Sequence, residues 1–538
     1  MKYLVSLIVT LMLSACSQKE KVDLLVIHAN IYTVNSNFAK ANAFAVKDGK
    51  FVAVGKTQNL QNKYDATRVI DAKGQTILPG LIDAHCHFFN LGLQQQKVDL
   101  TGTKSYEEVL QKIKYFQDKK HVKFITGRGW DQNDWKVKKF PSKEKLDKLF
   151  PKTPVAVTRI DGHALLVNQA ALDLAGINKN TQVSGGEIIK QKGKITGVLI
   201  DNAMDKVYAV IPNPSRAEQI QALLDAQKIC TDLGLTTVDD AGLSRDSYEL
   251  IDSLQKAGKL KIRIYGMVSA TPDNMNYYIN KGIVKTDRLN IRSFKVYADG
   301  ALGSRGAALR KPYSDKPGHY GAFVTPVKDL KSIAKKIAAS TYQMNTHAIG
   351  DSANHFMLEV YTKALKGQKN RRWRIEHAQV VSPEDFKYFK DIVPSIQPTH
   401  ATSDMYWAKD RLGPYRIKGA YAYKDLLKQY GKVALGTDFP VEKVNPMLTF
   451  YAAVARQDLK EYPKKGFQME NALTRKETLK GMTIWAAYSN FEENEKGSIE
   501  VGKLADFVIL NQDIMTVDIH KVPTTKVEAT YINGEKVK

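Results

Sequence analysis

The chain has 538 residues, of which 43% are hydrophobic and 25% charged, and no low-complexity stretch indicates a long disordered region. A chain of this length can bury enough apolar surface to fold alone, and its three cysteines predict no disulfide framework. The formal net charge is +24, but the lysines are scattered and accompany no recognition motif, so nucleic acid is not expected as a partner.

The first predicted element is an export signal. Lys2 precedes an apolar run over 4–13, which is shorter than the about 20 residues needed to cross a bilayer. The run ends in Leu13-Ser14-Ala15-Cys16, which resembles the lipobox of bacterial lipoproteins, where the cysteine becomes the lipidated N-terminus. We therefore predict a lipoprotein signal peptide over 1–15, lipid on Cys16, and a protein anchored to a bacterial membrane, facing the periplasm or the cell surface. The alternative is an ordinary cleaved signal peptide and a soluble exported protein.

Segments rich in β-forming residues lie at both ends of the remaining chain. The N-terminal segments are 22–34, 43–54 and 69–77, and the C-terminal segments are 505–510 and 527–537. Neither end has enough strands for a stable sheet of its own. We therefore predict that residues 22–76 and 498–538 pair in one composite β-sandwich domain.

Between the two ends, short apolar runs alternate with helix-like sequence. The eight runs are 77–83, 235–239, 261–268, 291–297, 343–347, 373–377, 392–397 and 432–436. Alternating strands and helices favour a parallel sheet, and eight such strands predict an α/β fold with a (β/α)8 TIM barrel over 77–497. The interval after the first run is too long for one helix, so residues 97–210 are predicted to form an inserted subdomain.

Histidine, lysine and aspartate residues stand at the ends of these runs. His85 and His87 follow the first run, and the alternation of an extended chain directs both imidazoles to one side. Such a pair is common by chance and is compatible with ordinary hydrogen-bonded histidines. At or just past the ends of four later runs lie Lys295, His347, His377 and Asp438. Because the carboxyl ends of barrel strands meet at one mouth, these potential metal ligands are expected to converge there.

Several strings around these residues resemble the amidohydrolase superfamily. Its opening and closing motifs are similar to Leu78-Pro79-Gly80-Leu81-Ile82-Asp83-Ala84-His85-Cys86-His87 and Gly436-Thr437-Asp438-Phe439-Pro440. Five further strings resemble amidohydrolase family 3, a branch that includes N-substituted formamide deformylase-like proteins. They begin at Asp299, Thr346, Arg374, Gln397 and Gly497 and read DGALGSR, THAIGD, RIEHAQ, QPTH and GSIEVGKLAD. The resemblance spans residues 22–538.

The resemblance implies a centre of two divalent metal ions, zinc by preference, at the barrel mouth. His85 and His87 would bind one metal, and His347 and His377 the other. Lys295 would bridge them as a carbamate formed with carbon dioxide, because an ammonium group has only donors whereas a carbamate offers two oxygens. The alternative for Lys295 is a solvated or salt-bridged lysine.

Asp438 is implied to be both a metal ligand and the proton shuttle. It would take a proton from the water that becomes a metal-bridging hydroxide and pass it to the leaving nitrogen. Its alternative role is to cap the turn that follows it. The implied reaction is hydrolysis of a carbon–nitrogen bond in a small amide, N-formyl, N-acyl or cyclic amide substrate. An ester, lactone or other carbon–heteroatom hydrolase and a catalytically silent solute-binding lipoprotein stay open as alternatives.

Four further residues are candidates for contact with the substrate: His163, Trp130, Asp131 and His400. His163 would steady an oxyanion or a polar substrate group, and His400 lies near the mouth by its position. For Trp130 and Asp131 the alternatives are core packing and a helix cap. The remaining histidines are predicted to be structural or exposed: His28, His121, His319, His355 and His520. The sequence does not determine the oligomeric state, and a homodimer is compatible with it.

Overall fold

The computed structural model describes residues 19–162, 164–183 and 186–538. Cys16 and His163 lie outside the described residues, so lipidation of the first and substrate contact by the second stay predictions. Within the described ranges, no helix is both long and apolar enough to span a membrane.

The strands of the described residues form four sheets. In chain order the strands are β1 (Glu20–Ile27), β2 (Asn30–Tyr32), β3 (Lys40–Ala41), β4 (Ala43–Lys47), β5 (Lys50–Gly55), β6 (Tyr64–Asp71), β7 (Thr76–Pro79), β8 (Leu81–Cys86), β9 (Val98–Asp99), β10 (Ile125–Trp130), β11 (Val155–Arg159), β12 (Ala164–Val167), β13 (Gly186–Gln191), β14 (Lys194–Asp201), β15 (Leu235–Leu243), β16 (Arg263–Ser269), β17 (Val284–Lys285), β18 (Leu289–Tyr297), β19 (Gln343–Ala348), β20 (Arg374–His377), β21 (Val393–Ile396), β22 (Ala434–Leu435), β23 (Phe507–Leu510), β24 (Val527–Ile532) and β25 (Glu535–Lys536).

The α-helices of the described residues mostly connect the strands. They are α1 (Thr57–Lys63), α2 (Phe88–Gln94), α3 (Tyr106–Lys120), α4 (Glu144–Leu149), α5 (Gln169–Leu174), α6 (Asp205–Tyr208), α7 (Arg216–Asp232), α8 (Arg245–Lys256), α9 (Pro272–Lys281), α10 (Val327–Ala338), α11 (Asp351–Leu365), α12 (Pro398–Asp404), α13 (Ala408–Arg416), α14 (Tyr423–Tyr430), α15 (Pro446–Ala455), α16 (Arg475–Gly481) and α17 (Ile484–Ser489). Their starts follow recognisable signals: Ser215 with Glu218 and Thr474 with Glu477 form capping boxes at α7 and α16.

The predicted barrel is confirmed. Eight parallel strands lie side by side in the order β8, β15, β16, β18, β19, β20, β21 and β22, which is also their order along the chain. The last strand is only two residues long, and the barrel closes through the residues that follow it. The amide of Asp438 donates to the carbonyl of His85 at 2.8 Å, and the Oγ1 hydroxyl of Thr437 donates to Asp83 at 2.7 Å. These bonds join the two ends of the sheet at the barrel mouth.

The first predicted run, 77–83, belongs to two sheets rather than one. β7 pairs with β23 near the C-terminus, and β8 pairs with β15 in the barrel. Gly80 separates them, and a side chain there would place its Cβ 2.2 Å from Oγ1 of Thr236. The chain therefore passes from one sheet to the other at a position where only hydrogen fits.

The terminal segments form two facing sheets, one made of N-terminal strands alone and the other made of strands from both ends. One sheet has the order β5-β4-β1-β6, and the other has the order β25-β24-β23-β7-β2-β3. The rings of Phe44 and Phe507, one from each sheet, meet edge to face with centroids 4.9 Å apart. Phe507 also stacks on Tyr531 at 4.4 Å. Residues distant along the chain thus share one apolar core.

A separate sheet lies between the first and second barrel strands. Its order is β13-β14-β12-β11-β10-β9, and it packs its own apolar core around Trp130. It falls within the segment 97–210 that the sequence predicts as an insertion.

Candidate metal centre

Strand β8 carries His85 and brings His87 to its end. His85 is fully buried, and its Nδ1 lies 2.6 Å from Oε2 of Glu376. Because a carboxylate can only accept, His85 donates through Nδ1 and leaves the lone pair of Nε2 available for a ligand. Nε2 of His87 lies 3.2 Å from Oδ1 of Asp438. The strand thus aims both imidazoles into the barrel mouth.

Lys295 lies at the centre of the site, on β18. Its Nζ is 3.1 Å from Nε2 of His85 and 4.9 Å from the ring centroid of Tyr297. Burial lowers the pKa of Lys295 to about 8, although the carboxylates of Glu376 and Asp438 oppose the shift. A lysine with a lowered pKa holds a larger share of neutral amine at neutral pH, and the neutral amine is the form that attacks carbon dioxide.

His347 on β19 and His377 on β20 face each other. Their ring centroids are 4.5 Å apart, and the ring of His377 is 4.9 Å from that of His85. Burial lowers the pKa of His347 to about 3 and holds the pKa of His377 well below its usual range, so both imidazoles are neutral. Neutral imidazole is the form that binds metal ions.

The backbone bends at two of the candidate residues. His377 has a φ of 74° and Asp438 a φ of 63°, in the left-handed region that residues other than glycine rarely adopt. Alternation along β20 directs Arg374 and Glu376 into the barrel and would direct His377 outward. The left-handed conformation turns the ring of His377 back towards His85. Backbone strain of this kind clusters at functional sites, where the surrounding structure holds it.

Asp438 presents its two carboxylate oxygens to different partners. Oδ1 lies 3.2 Å from Nε2 of His87 and 3.6 Å from Nε2 of His85, whereas Oδ2 lies 3.3 Å from Nε2 of His400. Burial would raise the pKa of Asp438, but hydrogen bonds with His400 and His87 hold it well below its usual range. Asp438 is therefore a carboxylate with one oxygen facing the candidate ligands.

The ligand atoms fall into two groups, in each of which all of them lie within 4.8 Å of one another. The groups are His85, His87 and Asp438, and His377, His400 and Asp438. The first contains the pair predicted for one metal. The second group places His400 beside His377. His347, which is predicted to bind the same metal as His377, also lies beside it, and the two rings are in contact. The predicted ligands therefore converge, and His400 lies beside His377 and Asp438.

A buried ionic network lies beneath the candidate ligands. Arg374 donates to Glu376 through Nε at 2.6 Å and to Asp239 through Nη1 at 3.0 Å, and all three side chains are fully buried. Burial would raise the pKa of Glu376, but the charge of Arg374 and the bond to His85 hold it well below its usual range. No role is predicted from the sequence for Arg374 or Glu376, although they alternate within the strand that ends at His377.

His400 stands on α12 between two carboxylates. Its Nδ1 lies 3.2 Å from Oε1 of Glu442, and its Nε2 faces Asp438. Burial disfavours the charged ring, but hydrogen bonds to Asp438 and Glu442 raise the pKa of His400 to about 10, so the ring donates from both nitrogens. Glu442 follows Asp438 by four residues, and no local pattern singles it out in the sequence.

Trp130 and Asp131 lie in the inserted subdomain. The indole of Trp130 is fully buried and donates to the carbonyl of Val157 at 2.8 Å. Asp131 accepts from the amide of Asn133 at 2.9 Å at the start of a short 3-10 helix, and it pairs with Arg159 at 2.5 Å. Core packing and helix capping account for these contacts, and substrate contact by either residue stays an untested prediction.

The donor set fits divalent metal ions. Imidazole nitrogens and a carboxylate are the ligands that zinc and similar ions take in catalytic sites. Within the described residues, Nε2 of His347 and Nδ1 of His377 are buried without a hydrogen-bond partner. Buried polar atoms are costly unless something satisfies them, and a bound cation would do so for both.

Known proteins resemble the chain over nearly its whole length. A sequence profile described as the amidohydrolase family matches residues 68–538. Protein LONG AFTER FAR-RED 3 of Arabidopsis thaliana is 33% identical, over 96% of this chain and 91% of that protein. N-substituted formamide deformylase of Arthrobacter pascens is 24% identical, over 95% and 97%. An uncharacterized metal-dependent hydrolase from Pyrococcus horikoshii OT3 has a crystal structure that aligns with a TM-score of 0.76 at 28% identity, over 92% and 99%.

Proposed function

The chain belongs to the amidohydrolase family, and we propose that this metal-dependent hydrolase cleaves a carbon–nitrogen bond in a small amide, N-formyl, N-acyl or cyclic amide substrate. The observation that carries the proposal is the Asp438 carboxylate, which stands among the imidazoles with Oδ1 turned towards His87. A protein that only binds solutes has no need of a proton carrier beside its ligands. The formamide deformylase relative supports an amide-type substrate.

The metal-binding role of the site residues is part of the proposal. His85, His87 and Asp438 would hold one divalent ion, and His347 and His377 the other, with a carbamate on Lys295 shared between them. When bound, the ions, zinc by preference, would polarise the scissile carbonyl and lower the pKa of water towards about 7.

Proton transfer at Asp438 favours an amide over an ester. An amine leaves an acyl carbon readily only after its nitrogen gains a proton, whereas an alcohol is less demanding. Oδ1 of Asp438 accepts a proton from the attacking water and returns it to the leaving nitrogen. Glu376 meanwhile holds the Nδ1 proton of His85, which fixes the tautomer and the orientation of that ring.

The proposed reaction is tested with matched substrate pairs. Zinc-loaded protein is assayed on N-formyl, N-acyl and cyclic amides beside esters and lactones of the same shape. We expect turnover of at least one amide, and Asp438→Asn should lower that turnover by about 100- to 10,000-fold while metal is retained. Glu461→Gln, a change at an exposed residue in the segment that follows α15, is the control.

Each other outcome of the assay supports an alternative. Hydrolysis of esters or lactones alone would replace the amide proposal with the other carbon–heteroatom chemistry. Tight solute binding without any turnover would indicate a silent binding protein. An Asp438→Asn enzyme with normal turnover would remove the proton shuttle from the proposal.

We further propose that the protein is held at a bacterial membrane by lipid on Cys16. The proposal rests on the Leu-Ser-Ala-Cys string, because Cys16 is outside the described residues. The described residues contain no helix that could provide attachment by spanning the bilayer. A homodimer likewise stays a prediction.

A further inference from the structure

Helix α12 presents three polar side chains on one face. Ser403 and Asp404 follow His400 by three and four residues, which places both beside it on the helix. Ser403 donates through its hydroxyl to Oε1 of Glu442 at 2.6 Å, the same oxygen that faces Nδ1 of His400. Two neighbouring residues of the helix therefore hold one carboxylate oxygen of the loop that follows β22.

The other end of α12 is anchored to the segment that follows β20. Oδ2 of Asp404 accepts from Nε2 of Gln379 at 3.1 Å and from the hydroxyl of Tyr421 at 2.8 Å. Gln379 lies two residues beyond His377. The helix thus connects the segments that carry His377 and Asp438, and these hydrogen bonds limit its movement relative to both.

We propose that Glu442 and His400 are positioning residues that hold the Asp438 carboxylate in the orientation needed for proton transfer. This inference rests on the proposed function and extends it to two residues outside the ligand set that the sequence implied. Glu442 fixes the ring of His400 through Nδ1, and Nε2 of His400 then holds Oδ2 of Asp438 at 3.3 Å. With Oδ2 held, the other oxygen, Oδ1, stays turned towards His87.

The arrangement repeats the one around His85. There Glu376 engages Nδ1 and the far nitrogen faces the site, and here Glu442 engages Nδ1 and the far nitrogen faces Asp438. In both, a carboxylate prevents the ring from rotating about its own axis. The difference is the target: the fixed nitrogen of His400 meets a carboxylate oxygen, which a hydrogen bond orients directly. A displacement of about 1 Å in a reacting group can cost roughly 100-fold in rate, so a loss of this orientation should be measurable as a fall in kcat.

The test compares Glu442→Ala with Glu442→Gln. Alanine removes the contact to His400, whereas glutamine keeps an acceptor oxygen of the same reach. We expect kcat to fall by roughly 10- to 100-fold in the alanine variant and by less in the glutamine variant, with KM and metal content unchanged. Glu461→Ala is the matched control, because Glu461 is an exposed glutamate in the segment that follows α15. Ser403→Ala should give a smaller fall in kcat than Glu442→Ala. If Glu442→Ala does not fold, the fall in kcat of Ser403→Ala tests the positioning role in its place.

A second measurement does not depend on turnover. Crystal structures of wild type and Glu442→Ala should show that the ring of His400 leaves Oδ2 of Asp438 and that the carboxylate rotates. An unmoved ring would overturn the proposal. Loss of metal in Glu442→Ala would instead make His400 a metal ligand, and a rise in KM with normal kcat would make Glu442 a substrate contact. If wild type hydrolyses no substrate of the panel, the proposed function fails while the crystal structures still decide the positioning role.

Discussion

Three imidazoles and one amine share a small volume in which water is largely replaced by protein. His85, His347 and His377 are neutral there because burial lowers the pKa of each, to about 4 for His85 and about 3 for His347. The amine of Lys295 lies among them, with its Nζ 3.1 Å from Nε2 of His85. A cluster of lone pairs around one basic amine is suited to cations and to carbamate formation.

Removal of one imidazole should therefore reduce metal binding and leave the protein folded. In His85→Ala, His347→Ala and His377→Ala, we expect bound metal and turnover to fall while circular dichroism stays that of a folded barrel. Elemental analysis after purification in zinc measures the effect, and His355→Ala, half-exposed on α11, serves as the control. Full metal content in all three variants would sink the ligand assignment.

The bridging role of Lys295 can be separated from a salt bridge by chemical rescue. Lys295→Ala should lose metal and turnover together, because nothing then offsets the repulsion between two cations. Acetate or bicarbonate would occupy the vacated space and restore part of the rate, since each supplies an oxygen bridge. Rates are measured against acid concentration, and wild type should gain nothing. A Lys295→Ala enzyme with full metal and full rate would show that the lysine has no bridging role.

At the scale of secondary-structure elements, the C-terminal ends of the barrel strands determine the position of the candidate site. The barrel strands lie in chain order, so each contributes its C-terminal side chain to the mouth at a predictable place. The closing strand, β22, is too short to hold the barrel by a ladder of its own. Closure depends instead on Thr437 and Asp438, which bond to residues of β8. Asp438 is also the proposed proton carrier, so barrel closure and the proposed chemistry share one segment.

This closure predicts a sensitive glycine. A Cβ at Gly436 would lie 2.5 Å from the amide nitrogen of His85, so Gly436→Ala must push β22 away from β8. We expect a loss of about 1–3 kcal/mol in the free energy of unfolding, as for overpacked cores, together with weaker metal binding. Urea unfolding measures the loss. Gly55→Ala is the control, because its Cβ would meet only Leu60 at 3.4 Å, and equal stability of the two variants would contradict the prediction.

For the whole molecule, the terminal sheets and the barrel are joined by a buried ion pair. Arg263 of β16 donates through Nε to Asp506 at 2.7 Å and through Nη2 at 3.0 Å. Both side chains are almost fully buried. Asp506 also accepts from the amide of Asn533, so one carboxylate holds the barrel and the last hairpin together.

Asp506→Asn should therefore destabilise the whole fold. The variant leaves Arg263 buried without a charge partner, which typically costs about 3–5 kcal/mol. Thermal and urea unfolding measure the loss, and Glu528→Gln, exposed on β24, is the control. If the barrel and the terminal sheets were independent, the variant would show two transitions with only one of them shifted.

We expect the N-terminus to determine the position of the protein in the cell. Cys16→Ala should move the protein from the membrane fraction to the soluble fraction, because the proposed lipid provides the attachment. Immunoblots of fractionated cells measure the change. A wild-type protein that is already soluble would show that Cys16 carries no lipid and that the signal is an ordinary one.

The sequence by itself determined the fold class and the convergence of the candidate ligands. Apolar runs, alternation and chain order are local signals, and the barrel turns chain order directly into neighbourhood at the mouth. His85, His347 and His377 could therefore be placed together without coordinates. The pairing of the two chain ends was predicted from a lack of strands at either end, but the N-terminal strands β5, β4, β1 and β6 also form a sheet of their own.

Only the tertiary structure decided which side chains hold the ligands in place. Glu376 meets His85 across 291 residues of chain, and His400 meets Asp438 across 38, so neither contact leaves a local pattern. The division of the first apolar run at Gly80 into two strands could not be predicted either, because the apolar pattern is the same whether the run belongs to one sheet or to two. Hydrogen bonds and close packing are set by distances between elements, and these exist only once the elements have packed together.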